Sequence, residues 1–331
     1  MNVSVILCTY NRCESLRTAL ESVAVSQLPN SVSWEVLVVD NNSKDKTRAV
    51  VDEFARRYPG RFRYLFEPQQ GKSYALNSGI RESSGEILAF MDDDVAVDSN
   101  WLRILTSIFH DSQWAGAGGR ILPERSFTPP AWLPMQNKYA LAPLAIFDIG
   151  SQPGEMREAP FGTNMAFRRE VFEKVGGFRT DLGPCPGSET RSEDTEFGYR
   201  ALGAGQRLWY EPSALVYHSL SPHRLQEKYF LAWWYDKARA DIRAYGVPAH
   251  HKFLVAGIPL RLFRGLVNWT IRWITAVNPA QRFSCKIKVW MKFGEISECY
   301  RLASRVNNRH QEFAEPQNAS ERRPAANSAK H

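Results

Sequence analysis

The sequence predicts an α/β protein with a mostly parallel sheet flanked by helices, followed by a C-terminal amphipathic helical extension. Three observations predict it. Short β-branched runs alternate with stretches of helical period between residues 3 and 91, each run ends in a polar cluster, and the last third of the chain turns basic and aromatic. Alternation of this kind implies βα units with helices on both faces of the sheet, and a ligand site at the carboxyl ends of the strands.

Val3 to Leu7 and Glu35 to Val39 are continuous apolar runs, as expected of strands buried on both faces. Between them, Leu16, Ala19, Leu20 and Val23 recur at spacings of three and four, which predicts a helix over Glu14 to Val25. The same reading gives a helix over Thr47 to Tyr58, a strand at Phe62 to Phe66, a helix over Lys72 to Ser83 and a buried strand at Glu86 to Met91. From Pro123 to Pro160 the periodicity dissolves into a Pro-rich stretch too long for an ordinary connection, and this is read as a mobile or acceptor-facing loop. Order returns at Gly162 to Arg168, followed by helices at Arg169 to Val175 and Asp194 to Ala204 and a strand at Gln206 to Tyr210. Residues 224 to 245 read as an aromatic and basic helix, and the chain beyond about 305 reads as a polar, disordered tail.

Charge is unevenly placed. Residues 223 to 331 hold 19 Lys and Arg against 8 Asp and Glu, whereas the first 222 hold 23 against 27. A basic end of this kind points to a phosphate-rich partner, either nucleic acid or an anionic membrane leaflet. The five cysteines are odd in number and show no CxxC spacing, so neither a disulfide framework nor a zinc site is indicated, and a reducing cytosol fits. The first strand starts almost at once, without the positive leader and cleavage site of a signal peptide.

Asp92, Asp93 and Asp94 crowd three carboxylates onto the end of a hydrophobic strand. Left alone they repel one another. Mg²⁺ and Mn²⁺ favour carboxylate oxygens and complete their shells with substrate phosphates, so an acidic loop in this position suggests a metal–diphosphate site. An acidic turn or helix cap is the alternative.

Further polar clusters fall where such a sheet would present them to one crevice: Thr9-Tyr10-Asn11-Arg12, Asp40-Asn41-Asn42-Ser43 and Gly71-Lys72-Ser73-Tyr74-Ala75-Leu76-Asn77-Ser78-Gly79. With Ser4 to Cys8, Val38-Val39, Gly162 to Arg168, Gly176-Gly177-Phe178, and Glu193-Asp194 followed by Arg200, they make the chain resemble an inverting, bacterial-type family 2 glycosyltransferase of the GT-A, Rossmann-like fold over roughly residues 3 to 218. That resemblance implies a catalytic domain at 1–222, with a nucleotide-sugar half to about 122 and an acceptor half beyond it. A helical extension would occupy 223–304 and a tail 305–331.

The resemblance also implies roles. Thr9, Tyr10 and Asp40 would hold the nucleobase, with Asn11 beside them, and a carboxylate at Asp40 suits the imide N–H of uracil. Lys72 would approach the diphosphate, and Asn77 would orient its loop. Asp92 and Asp94 correspond to the family's Asp-x-Asp pair, Asp92 near the ribose and Asp94 on a divalent metal, Mn²⁺ or Mg²⁺, with Asp93 among the donor contacts. Asp194 corresponds to the base that deprotonates the acceptor hydroxyl, and His218 to a further metal ligand. Thr9 and Asn77 are alternatively helix caps, Glu193-Asp194 a helix N-terminus, and His218 a structural histidine. Many members carry two acids where this chain has Asp40-Asn41. The Gln-x-x-Arg-Trp signature of processive synthases is absent, the nearest stretch being Gln226 to Phe230, which favours transfer of one sugar.

Between Phe253 and Val277, the polar residues Arg261, Arg264, Asn268 and Arg272 share one helical face, against Leu262, Trp269, Trp273 and Ile274. A spanning helix would not carry such charges, whereas a helix lying in the membrane interface would, aided by Arg282, Lys286, Lys288 and Lys292. Packing back on the catalytic domain is the alternative. The expected partners are thus a UDP-sugar or similar donor, a hydroxyl acceptor of the lipid-linked kind, and the anionic inner face of the membrane, with no nucleic acid because no motif for it is present. Two rivals stand beside this reading. A sugar-phosphate nucleotidyltransferase would be expected to show a Gly-rich, Lys-ending loop after the first strand, where Thr9 to Arg12 stands; a non-catalytic membrane scaffold would not need both Asp94 and Asp194.

Overall fold

In the computed structural model, which describes residues 1–124, 127–135, 138–186, 191–247, 253–255 and 257–314, the apolar runs form the centre of one nine-stranded sheet. The chain runs β1 (Asn2–Thr9), α1 (Cys13–Ala24), β2 (Ser33–Asp40), α2 (Thr47–Arg57), β3 (Phe62–Phe66), α3 (Lys72–Glu82), β4 (Ile87–Asp92), β5 (Val95–Val97), α4 (Trp101–Ile108) and β6 (Gly116–Pro123). After a 3₁₀ turn at Lys138–Leu144 come β7 (Gly154–Met156), β8 (Asn164–Arg168), α5 (Arg169–Val175), α6 (Glu193–Gly203) and β9 (Leu208–His218). A second 3₁₀ turn at Pro222–Leu225 leads to α7 (Glu227–Tyr245), the short pair β10 (Leu254–Val255) and β11 (Ile258–Pro259), α8 (Leu260–Thr275) and α9 (Pro279–Ala314).

The sheet order is β3-β2-β1-β4-β8-β6-β9-β5, with β7 paired to β9. Through β3-β2-β1-β4 every pairing is parallel; beyond it β8 runs antiparallel between β4 and β6. Alternate residues of the central strands serve opposite faces, as a period of two requires. Val3, Val5 and Leu7 pack with Leu16, Leu20, Val51 and Phe54 of α1 and α2, while Ile6, Leu37, Val39 and Phe90 pack with Ala75, Phe172 and Phe197 of α3, α5 and α6. Gly79 explains how closely α3 sits on the sheet, since a Cβ there would lie 2.6 Å from Ile6 Cγ2. The chain leaves β1 for β2 on one side and β4 lies on the other, so the strand order switches at the carboxyl ends of β1 and β4, where ligands bind in such sheets.

Two elements differ from the sequence-based expectation in an informative way. The strand expected at Gln206 to Tyr210 starts at Leu208 and runs on to His218 as one long strand, β9, whose parallel pairing with β6 breaks between Gly119 and Arg120 and skips Pro212 to Ala214. Proline offers no N–H to a ladder, so the interruption falls where the pairing is weakest. The backbone of α9 continues to Ala314, into the stretch beyond 305 expected to be a tail; residues 315–331 of that expectation lie outside the described residues.

The C-terminal helices pack on the segment between β6 and β7. Phe230, Leu231 and Trp234 of α7 share a core with Leu133, Leu141 and Leu144 and with Phe283 and Ile287 of α9. Gly294 lets α9 cross α7 closely, because a Cβ there would sit 2.3 Å from the Tyr235 carbonyl oxygen. Glu298, fully buried, accepts hydrogen bonds from Arg243 at 3.0 Å and Arg301 at 2.8 Å. Burial opposes its charge, but those arginines hold the carboxyl down to about 2. One face of α8 also turns inward: Leu262 is buried, and Trp273 meets Trp290 of α9 edge-on with centroids 6.1 Å apart. No helix among the described residues is long and apolar enough to cross a membrane.

Candidate active site

At the switch point lies a cavity of about 1050 Å³, lined by Thr9, Tyr10, Lys72, Asp92, Asp93, Asp94, Asp194 and His218 together with segments of the 142–149 and 158–161 stretches and of α7. Loops from several parallel strands meet here because the parallel pairing aligns their carboxyl ends: Thr9 lies opposite Asp40, and Cys8 opposite Asp92.

The three aspartates have distinct partners. Asp92 accepts from Lys72 Nζ at 2.7 Å and from Thr163 Oγ1 at 2.6 Å. Burial works against its ionisation, yet Lys72 and these hydrogen bonds hold it below the ordinary carboxylate range. Asp93 is buried and accepts from Thr9 Oγ1 at 2.7 Å and from Arg12 at 3.0 Å. Burial pushes it up to about 6 against the pull of Arg12. Asp94 accepts from Arg224 at 2.8 Å and Arg12 at 3.1 Å, and its Oδ1 lies 3.4 Å from His218 Nε2. Despite burial, His218, Arg224 and Arg12 hold Asp94 well below the ordinary range.

His218 reaches Asp94 through strand pairing. The turn after Asp92 enters β5, which runs antiparallel to β9 with Val95 opposite His218, and Ser219 N–H donates to the Asp94 carbonyl at 3.1 Å. Asp94 Oδ1 and His218 Nε2 are oxygen and nitrogen donors of the kind a divalent cation takes, with the Arg224 guanidinium 2.8 Å from the same Nε2 and 2.8 Å from Asp94 Oδ2; no group of three or more His, Cys, Asp or Glu placed to hold a metal occurs among the described residues.

Asp194 stands in the first turn of α6, after Ser192 in the left-handed region at φ 84°. Gly162 N–H donates to its Oδ2 at 2.7 Å and Thr195 N–H to its Oδ1 at 2.6 Å. Gly162 allows this approach, since a Cβ would stand 3.2 Å from that carboxylate oxygen. Glu193 is turned away from solvent toward Lys72, at 3.6 Å, and burial pushes it up to about 7 against the pull of Lys72. Burial alone would lower Lys72, but Asp92 and Glu193 raise it well above its ordinary value, so it is a charged lysine clamped between two acids. Gly162 and Thr163 thereby tie both acidic clusters to the start of β8, which runs antiparallel to β4 with Asn164 opposite Met91.

Asn11, Asp40 and Asn77, expected among the ligand contacts, do not line the cavity. Their polar atoms have protein partners instead. Asn11 holds the β2 loop, accepting from Lys44 N–H at 2.7 Å while its own N–H donates to Ser43 Oγ. Asp40 is buried and accepts from Ser43 N–H and from the Tyr64 hydroxyl, both at 2.8 Å. Asn77 pairs its amide with the backbone of Phe178, 2.8 Å each way. In the second loop it is Asn41 that reaches the cavity, where its Oδ1 accepts from Gly71 N–H at 2.7 Å. Arg12, Thr163 and Arg224 touch the acidic residues although sequence reasoning gave them no role; Arg12 and Thr163 stood inside quoted motifs, whereas Arg224 carried no signal.

A family model described as Glycosyl transferase family 2 matches residues 4–176. Among curated proteins, the chain is 29% identical over 250 residues to a glucosyl-dolichyl phosphate glucuronosyltransferase of Haloferax volcanii, covering 73% of this chain and 78% of that one. It is 30% identical to the glycosyltransferase AglE of Haloferax volcanii, covering 66% and 67%. It is 28% identical to the succinoglycan biosynthesis protein ExoM of Rhizobium meliloti, covering 70% of each. Among solved structures, the mannosyltransferase PcManGT of Pyrobaculum calidifontis, in complex with GDP-Man and Mn²⁺, superposes with a TM-score of 0.56 at 18% identity, covering 94% of this chain and 80% of that one. TarS of S. aureus, in complex with UDP-GlcNAc, does so with a TM-score of 0.51 at 15% identity, covering 94% and 92%.

Proposed function

We propose, for a chain that belongs to glycosyl transferase family 2 and is a glycosyltransferase, that it moves a single sugar from a UDP-sugar to a hydroxyl acceptor with inversion at the anomeric carbon. The observation that carries this is the meeting, in one cavity, of the Asp94–His218 pair with the Asp194 carboxylate. Thr9, Tyr10 and Asn41 form the base-binding side, with Asp40 fixing the turn behind them. Asp92, held by Lys72 and Thr163, faces the ribose, while Arg12 and Arg224 stand by the diphosphate. A Mn²⁺ or Mg²⁺ ion bound at Asp94 and His218 would neutralise charge on the leaving diphosphate. Asp194 accepts the proton of the attacking hydroxyl, and its two backbone N–H partners keep the carboxylate aimed.

A panel of UDP-, GDP-, ADP- and dTDP-sugars with Mn²⁺ tests this. A UDP-sugar at about 100 times its Kd should raise the melting temperature by roughly 5 °C or more and release UDP only with the metal present. Absence of stabilisation by every member of the panel would refute the reading.

The acceptor, in this proposal, is lipid-linked and met at the inner face of a membrane, in cell-surface or lipid-linked glycan synthesis. The support is α8, where Val267, Ile271 and Ile274 stay exposed at 60%, 56% and 69% beside the exposed Arg261, Arg264 and Arg272. An apolar stripe edged by arginines suits the headgroup boundary of an anionic bilayer. Sedimentation with phosphatidylglycerol-containing vesicles should exceed that with neutral vesicles in low salt, and Ile271→Glu should cut it about tenfold. Equal binding of Ile271→Glu and the unaltered chain, or preference for an oligonucleotide, would remove the membrane from the proposal.

A further inference from the structure

We infer that α7 forms the acceptor subsite and that this subsite takes a pyranose ring, so that the acceptor is itself a glycan; the inference rests on the glycosyl-transfer reading. Tyr229, Trp233 and Trp234 of α7 line the same cavity as Asp194, and α7 lies wholly outside the residues matched by the family model. Trp233 shares the cavity with Asp194, and the Arg191 guanidinium carbon lies 5.8 Å from its ring centroid. Its orientation is set from behind by Trp234, whose ring meets it edge-on with centroids 4.9 Å apart and planes at 76°. Trp234 is buried in the core shared by α7 and α9, whereas Trp233 is only half-buried and lines the cavity.

A half-open indole held in one orientation is a low-entropy platform for a ring ligand. A pyranose offers it an apolar face of C–H groups, and its hydroxyls meet polar groups around that face, of which Arg191 and Lys237 line this part of the cavity. A bare lipid phosphate would demand concentrated positive charge instead. The site's strongest such groups, Lys72, Arg12 and Arg224, are paired to Asp92, Asp93 and Asp94 on the donor side. The α7 wall instead carries Tyr229, Trp233 and Trp234 with polar side chains between them, a mixture that suits a sugar ring.

Saturation-transfer NMR on the full chain, with UDP and Mn²⁺ present, probes this with the methyl glycosides of glucose, galactose, mannose and N-acetylglucosamine. At least one should receive magnetisation chiefly on the C–H groups of one ring face. Trp233→Leu, which keeps apolar bulk but removes the ring, should weaken that signal about fivefold or more, and Trp233→Tyr should keep most of it. Thermal melting confirms that each variant is folded. If none of the glycosides gives a signal, if farnesyl phosphate binds in their place, or if folded Trp233→Leu binds as well as the unaltered chain, the inference is overturned. A chain that binds a glycoside but no nucleotide would instead overturn the transfer reading.

Discussion

Asp194→Asn is expected to lower sugar transfer by about 10³-fold while the affinity for UDP stays within about twofold. Asparagine keeps the shape of the side chain but has no charged oxygen to receive the acceptor proton. Its amide must also present an NH₂ to either the Gly162 or the Thr195 N–H, where the carboxylate accepts from both. That lost hydrogen bond costs about 1 kcal/mol locally, which is too little to unfold a chain of this size. Steady-state release of UDP with acceptor present, paired with calorimetric UDP binding, separates the two effects. Turnover within tenfold of the unaltered chain would exclude Asp194 as the base; equal loss of UDP binding would show that the substitution disturbs the pocket instead.

The second large effect concerns Asp94. Asp94→Ala should cut kcat/KM by at least about 10²-fold and abolish the response to Mn²⁺, because the carboxylate proposed to anchor the cation is lost. It also leaves Arg12 and Arg224 without the acid they share, although Arg12 retains Asp93 at 3.0 Å. His218→Ala provides the comparison, since it removes the second donor and leaves that acid in place. It should raise the Mn²⁺ concentration for half-maximal rate while the rate at saturating Mn²⁺ falls less than in Asp94→Ala. An unchanged Mn²⁺ titration in Asp94→Ala would show that this aspartate holds no metal.

Local signals carried much of the fold. Phe62–Phe66 and Arg169–Val175 have the bounds that periodicity assigns, because each is a short element between clear breaks. Trp101–Ile108 was not read as a helix, and α9 only as an undivided part of the helical extension to 304. In the first, the stripe of Trp101, Leu102, Leu105 and Ile108 spans only eight residues; in the second, small and basic residues blur the period. At the site, the acids were legible because three carboxylates on an apolar strand end demand a partner. Which polar residues line the cavity was not, since Asp40, Asn11 and Asn77 can satisfy a turn or a backbone amide as readily as a nucleotide, and only their neighbours decide.

By itself the sequence determined the run of strands and helices, the polar clusters at strand ends and the basic, aromatic end, all of which arise from contacts within a few residues. Tertiary structure alone decided that β5 pairs with β9, so that Asp94 meets a histidine as remote in the chain as His218, that Gly162 and Thr163 hold Asp194 and Asp92, and that α7 closes the cavity with its indoles. The physical reason is that these are hydrogen bonds and packing between distant segments, chosen by competition among all the partners the folded sheet brings within reach.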